Sequence, residues 1–254
     1  MNHQVIMIGG MPRSGTTLMS NYLQQTLNIP VSPETHYFSA ALSKNNLITL
    51  DDLPQPVLLD PRLGPIYREL EGSLIADLLI GFEDLLDKIF DDEYEVIGEK
   101  TPSHLMKFLE IAERRDSYRF IVMNRSCAQV CSSLKKVPWN DGKIMRNSFR
   151  WLKYYIEAER LKKRYPGRVC IVNYNDLCSN PEAEISRVML ELGLQKIDQD
   201  VSGFLNYKSE LEPWKRNATK KPSRQKKILE INIFPKIYLA VFEQVSKSLI
   251  RLIF

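Results

Sequence analysis

The segment from residue 4 to residue 27 constrains this chain more than any other. Residues 4–9, QVIMIG, form a short apolar run that predicts a buried strand. It passes into Gly9-Gly10-Met11-Pro12-Arg13-Ser14-Gly15-Thr16-Thr17, and an apolar-periodic helix is expected over 15–27. A glycine-rich turn between a strand and a helix start points backbone N–H groups at one place. The helix dipole adds partial positive charge there, so an anion of phosphate type fits. The hydroxyls of Ser14, Thr16 and Thr17 add donors. The spacing G-x-x-x-x-G is met from Gly10 to Gly15, but Thr16 stands where the nucleotide-kinase loop carries Lys. That Lys reaches the outer phosphates of a triphosphate, and the hydroxyl after it holds Mg²⁺. Arg13 lies inside the loop instead, and its planar fork suits a single terminal anion. The G-x-G-x-x-G dinucleotide fingerprint is absent.

Further strands are expected at 95–99, 118–124 and 169–174, with a weak one near 29–32. Helices are expected at 67–91, 103–114, 126–136, 143–164 and 181–193. The strand runs are short, continuous and rich in Val and Ile, as in strands buried on both faces. Their alternation with helices predicts an α/β fold with a mostly parallel sheet flanked by helices on both faces. At 254 residues, with no repeat or low-complexity linker, the chain reads as a single domain over 1–254. Residues 44–66 hold three Asp, four Pro and one Gly and predict an irregular excursion over one end of the sheet. Residues 237–254 predict an amphipathic helix packed on the body, with a membrane surface or a homodimer contact as the alternatives.

A net charge of +4 is too mild for a general nucleic-acid binder. Cys127, Cys131, Cys170 and Cys178 lie in helix or strand segments without C-x-x-C spacing, so a reducing, cytoplasmic compartment is expected. No apolar stretch reaches 18 residues, so no membrane span is expected. Neither a signal peptide nor, with three scattered histidines, a metal site is expected.

The loop GGMPRSGTTLM resembles the 5′-phosphosulfate loop of sulfotransferases that use 3′-phosphoadenosine 5′-phosphosulfate (PAPS). It is most similar to the tyrosylprotein sulfotransferases and their bacterial relatives, and the resemblance runs over about residues 4–230. It implies the P-loop NTPase-like form of the α/β fold. It assigns Pro12, Arg13, Ser14, Gly15, Thr16 and Thr17 to the phosphosulfate. Glu34, in Ser32-Pro33-Glu34-Thr35-His36, matches the family's general base, although the tyrosine-modifying members follow this pair with Arg rather than His36. Lys100, in Gly98-Glu99-Lys100-Thr101-Pro102-Ser103-His104, matches the cation beside the bridging oxygen. His104 reads as a second acid/base group or as a packing residue.

By the same resemblance Arg125 and Ser133 hold the 3′-phosphate, with Ser126-Cys127 replacing the usual D-P or D-G after the Arg. Tyr174, in Val172-Asn173-Tyr174-Asn175-Asp176-Leu177, has a mixed role, partly structural and partly at the adenosine. Residues 215–227 read KRNATKKPSRQKK, with seven basic residues and no acidic one. The family places a late basic loop on the 3′-phosphate, which makes Thr219, Lys220, Lys221, Ser223 and Arg224 candidates, Lys221 and Ser223 foremost; a solvated or disordered basic loop or a patch for an anionic surface is the alternative.

The implied activity is transfer of a sulfuryl group from PAPS to an acceptor hydroxyl, on a carbohydrate or else a tyrosine or small metabolite. Glu34, Lys100 and Arg13 would be the catalytic groups. A P-loop phosphotransferase and a non-catalytic nucleotide-binding module remain the rival readings. Trp139, Trp151, Tyr154 and Tyr155 read as helix-core packing or as a sugar-stacking wall.

Overall fold

The computed structural model describes residues 3–38, 50–72, 77–90, 94–195 and 233–253. Four strands, β1 (Gln4–Gly10), β2 (Val96–Lys100), β3 (Arg119–Asn124) and β4 (Val169–Asn173), form one parallel sheet in the order β2-β1-β3-β4. Parallel strands need crossovers, and helices supply them. The crossovers hold α1 (Thr16–Leu27), α2 (Gln55–Leu58), α3 (Leu63–Leu70), α4 (Leu78–Phe90), α5 (Phe108–Arg114), α6 (Cys127–Leu134) and α7 (Ile144–Arg164), and α8 (Tyr174–Ser179), α9 (Pro181–Leu192) and α10 (Ile233–Ile253) follow β4.

Strand alternation sorts the core into two layers. Val5, Met7, Ile97, Phe120 and Val122 face a layer built with α4, α5, α6 and α7. Ile6, Ile8, Ile121, Met123 and Val172 face α1 and α9 through Met19, Leu23, Val188 and Leu192. This is the P-loop NTPase-like α/β architecture, with helices on both faces.

All four strands run the same way, so their C-terminal ends share one edge. The loop after β1, Lys100 at the end of β2, Arg125 just past β3 and Tyr174 just past β4 therefore meet there. The chain leaves β1 to one side for β2 and crosses to the other side for β3, so β1 marks the topological switch where α/β sheets bind ligands.

Three expectations are corrected. The helix expected over 67–91 is two helices, α3 and α4. Glu71 turns extended and Gly72 takes φ +75°, and Asp77 restarts the helix by accepting from the N–H groups of Leu79 at 2.9 Å and Ile80 at 3.2 Å. The weak strand near 29–32 is a single bridge between Val31 and Gly98. The helix expected from 103 opens as a 3₁₀ segment, Pro102–Lys107, before α5. Within the 44–66 excursion, residues 50–66 carry short helices; buried Asp60 accepts from the N–H groups of Arg62 and Leu63 and starts α3. Among the described residues no helix is long and apolar enough to cross a membrane.

Candidate active site

The β1–α1 loop is shaped by its glycines. Gly10 and Gly15 have φ +145° and +106°, which side-chain-bearing residues rarely adopt. A Cβ on Gly15 would lie 2.5 Å from the Tyr174 ring, and one on Gly10 would lie 2.5 Å from the Met123 carbonyl oxygen. Between them Arg13 takes φ +77°, and the Ser14 N–H donates to the Met11 carbonyl at 3.0 Å. No side chain caps α1, whose N-cap is Gly15 and whose first turn holds no acid, so the helix start keeps its donors for an incoming anion. Ser14 is 1 % exposed, and its hydroxyl has no hydrogen-bond partner among the described residues. A buried hydroxyl of this kind is costly unless a ligand or water completes it.

Arg13 Nε donates to Ser133 Oγ at 3.1 Å, which ties the loop to α6. Arg125 donates from Nη1 to the Arg13 carbonyl at 3.1 Å and from Nε to Gln129 Oε1 at 3.2 Å. Its guanidinium carbon lies 3.9 Å from the centre of the Tyr174 ring, a cation–π contact. Trp151 Nε1 donates to the Arg125 carbonyl at 2.8 Å. Burial holds the Arg125 proton affinity below its ordinary value, the cost of a cation set where an anion is wanted. Ser133 thus touches Arg13 rather than Arg125. Pro12, Thr16 and Thr17 lie in or beside the loop as expected, with Thr16 buried.

On the other side of β1, Lys100 is 1 % exposed and its Nζ donates to Glu34 Oε1. The other Glu34 oxygen lies 3.4 Å from His36 Nε2. Behind this pair Glu99 is fully buried. Its Oε1 accepts from Thr35 Oγ1 at 3.0 Å and Thr101 Oγ1 at 2.6 Å, and its Oε2 lies 3.2 Å from His104 Nδ1. Burial pushes the Glu99 carboxyl up, but His104 and the two threonine hydroxyls outweigh it and hold the group below the ordinary value. His104 is buried and sits edge-on to Phe38 and Phe82. Trp151 and Tyr154 are buried in the core, as is expected of helix packing, whereas Trp139 is exposed.

Sequence reasoning brought Arg13, Ser14, Glu34, Lys100, Arg125, Ser133 and Tyr174 to one sheet edge. It missed Gln129, Thr35 and Tyr67, and it gave Glu99 no role. The available signal was strand alternation, which sends Glu99 to the face opposite Lys100. Thr219, Lys220, Lys221, Ser223 and Arg224 lie outside the described residues.

A family model described as "Sulfotransferase family" matches residues 5–199. A Caenorhabditis briggsae protein described as a protein-tyrosine sulfotransferase is 23% identical over 206 residues, which cover 77% of this chain and 68% of that protein. Two solved structures share the fold. The sulfotransferase domain of the Synechococcus PCC 7002 olefin synthase has a TM-score of 0.60 at 18% identity, covering 94% of each chain. A sulfotransferase from Alicyclobacillus acidocaldarius has a TM-score of 0.55 at 15% identity, covering 99% of this chain and 96% of that one.

Proposed function

The chain belongs to the sulfotransferase family, and on that premise we propose that it moves a sulfuryl group from PAPS to an acceptor hydroxyl. The observation that carries this reading is the loop itself: a buried Ser14 hydroxyl without a partner among the described residues, beside a helix start with no side-chain cap, with Arg13 in the turn. These features fit a terminal phosphosulfate. Thr16 in place of Lys fits a triphosphate poorly.

When bound, PAPS supplies an electrophilic sulfur and a phosphate leaving group. Arg13, Ser14, Thr16, Thr17 and the loop N–H groups hold the phosphosulfate, with Pro12 and Gly15 giving the turn its shape. Arg125 and Ser133 hold the 3′-phosphate, joined by Lys221 and Ser223 of the basic run. Tyr174 supports Arg125 from its ring face. Glu34 takes the proton from the acceptor hydroxyl. Lys100 neutralises charge on the oxygen that leaves the sulfur. A sulfuryl group carries less negative charge than a phosphoryl group, so these cations and amides suffice for the transfer.

The resting contact between Lys100 and Glu34 supports this division of roles. A buried cation needs an anion, and the bound donor offers Lys100 a second one, which leaves Glu34 free to accept a proton. Under this reading the acceptor is a carbohydrate hydroxyl; His36, where the tyrosine-modifying relatives carry Arg, weakens the case for a peptide. A tyrosine phenol is the second reading, favoured by the Caenorhabditis briggsae relative. The four cysteines are free thiols, in keeping with a reducing, cytoplasmic location.

The test is transfer of label from [³⁵S]PAPS to glycan and protein fractions in the presence of EDTA. Labelled glycan is the expected product. Label on protein tyrosine would replace the acceptor, and transfer from ATP with magnesium instead of PAPS would replace the reaction.

A further inference from the structure

Glu34 is carried by the segment that follows α1. Its backbone joins β2 at Gly98, whose N–H donates to the Pro30 carbonyl at 2.7 Å and whose carbonyl accepts from the Ser32 N–H at 2.8 Å. Beyond Ser32 side chains also bind it. The Thr35 hydroxyl donates to Glu99, the Thr101 hydroxyl donates to the same Glu99 oxygen, and the His36 N–H donates to the Thr101 hydroxyl at 3.3 Å. From α3, the Tyr67 hydroxyl donates to the Thr35 carbonyl at 2.6 Å. His36 itself takes φ +53°, a left-handed conformation uncommon for a side-chain-bearing residue, and must be held there.

One carboxylate therefore binds the residue after Glu34, which is Thr35, and the residue after Lys100, which is Thr101. It also precedes Lys100 directly in β2. Because β2 side chains alternate, Glu99 does this from the face opposite Lys100, with no exposed surface of its own. A fully buried carboxylate is a poor device for stability alone, since an apolar side chain of similar volume usually serves as well or better. One of its oxygens accepts from the two segments that carry the reactive pair, and the other faces His104 Nδ1 at 3.2 Å.

We propose that Glu99 is the positioning residue of this site: its carboxylate, through the hydroxyls of Thr35 and Thr101, fixes the Glu34 loop against Lys100. This rests on the sulfuryl-transfer reading for its kinetic consequence but not for its geometry. Glu99 touches neither donor nor acceptor. It sets the place from which Glu34 works, and a misplacement near 1 Å is enough to slow a positioned proton transfer about a hundredfold.

The experiment uses Glu99→Gln, Thr35→Val and Thr35→Ser in the full chain. Turnover of [³⁵S]PAPS is measured with the glycan fraction that wild type labels and with water as acceptors, and binding of 3′-phosphoadenosine 5′-phosphate (PAP) is measured by calorimetry. Crystals of Thr35→Val are solved beside wild type. Thr35→Val is expected to lower kcat at least about tenfold, with PAP affinity and the KM for PAPS within about twofold of wild type, because the donor loop lies on β1. Thr35→Ser, which keeps the hydroxyl, is expected to restore kcat. Glu99→Gln is expected to add nothing to the loss in a Glu34→Ala background, since it acts through Glu34. A merely structural role would lower kcat and PAP affinity together, would leave Thr35→Ser as impaired as Thr35→Val, or would make Glu99→Gln and Glu34→Ala additive; any of these overturns the proposal. If wild type binds PAP but transfers nothing, the function reading fails, and the crystals alone decide: a Glu34–Lys100 contact unchanged in Thr35→Val refutes the positioning role, and a displaced one supports it.

Discussion

Arg13 Nε and Ser133 Oγ meet at 3.1 Å although 120 residues separate them in the chain. The contact links the turn after β1 to the helix after β3, and Arg125 closes the link by donating to the Arg13 carbonyl. Both predicted ends of a donor, the 5′ and the 3′ anion, are thereby built on one connected set of side chains.

Removing the hydroxyl tests that connection. Ser133→Ala is expected to weaken PAP binding about tenfold, the worth of one hydrogen bond to a charged group, about 1.5 kcal/mol. Isothermal calorimetry measures it, and Arg13→Lys, which loses the planar fork, is expected to do at least as much harm. Unchanged affinity in both variants would remove Arg13 and Ser133 from the donor site.

The Glu34–Lys100 pair is lopsided. Lys100 is 1 % exposed and Glu34 is 28 % exposed. Glu34→Ala strands a buried cation and is expected to cost about 3–5 kcal/mol in urea unfolding. Lys100→Met leaves a carboxylate that water can reach, and is expected to cost under about 1.5 kcal/mol. The double variant is expected to be more stable than Glu34→Ala alone. Equal costs for the two single changes would contradict the burial argument.

Gly15 answers to two constraints, its φ of +106° and the nearby Tyr174 ring. Gly15→Ala is expected to lose about 1–3 kcal/mol from backbone strain and most PAP binding. Adding Tyr174→Ala relieves the ring contact but not the backbone, so stability is expected to recover only in part. Full recovery in the double variant, followed by thermal melting, would show that φ is not limiting.

Acid sensitivity follows from Glu99. Its folded-state value lies below the ordinary 4.5 because His104 and the threonine hydroxyls outweigh burial. A carboxyl depressed by folding adds stability that is complete above its unfolded value and drains away as pH falls through the folded one. Melting temperature is therefore expected to fall for wild type as pH drops below the ordinary 4.5, and to fall less steeply for Glu99→Gln over the same range. Parallel curves would mean that Glu99 is not ionised in the fold.

The sheet and its ligand edge were legible in the sequence because both are local. Val- and Ile-rich runs mark β1 to β4, and the loop from Gly10 to Thr17 carries its own turn chemistry. Glu34, Lys100, Arg125 and Ser133 came from resemblance, and parallel strand direction explains why they converge. The role of Glu99 was not legible, since its partners Thr35 and His104 are brought to it by the fold and not by spacing along the chain. The break between α3 and α4 was missed because Gly72 is tolerated within a helical pattern, and Asp77 acts as a cap only once the chain has turned. Tyr67 fell in the segment read as one continuous helix, and its reach to Thr35 crosses 32 residues.

We propose above that the turn at Arg13, with Arg125 beside it, holds an adenosine donor with a 3′-phosphate. Calorimetric titration of the full chain with PAP, AMP and magnesium ATP tests it directly. PAP is expected to bind about a hundredfold more tightly than AMP, about 2.7 kcal/mol for the added phosphate. Equal affinity for PAP and AMP, or tighter binding of magnesium ATP, would contradict it.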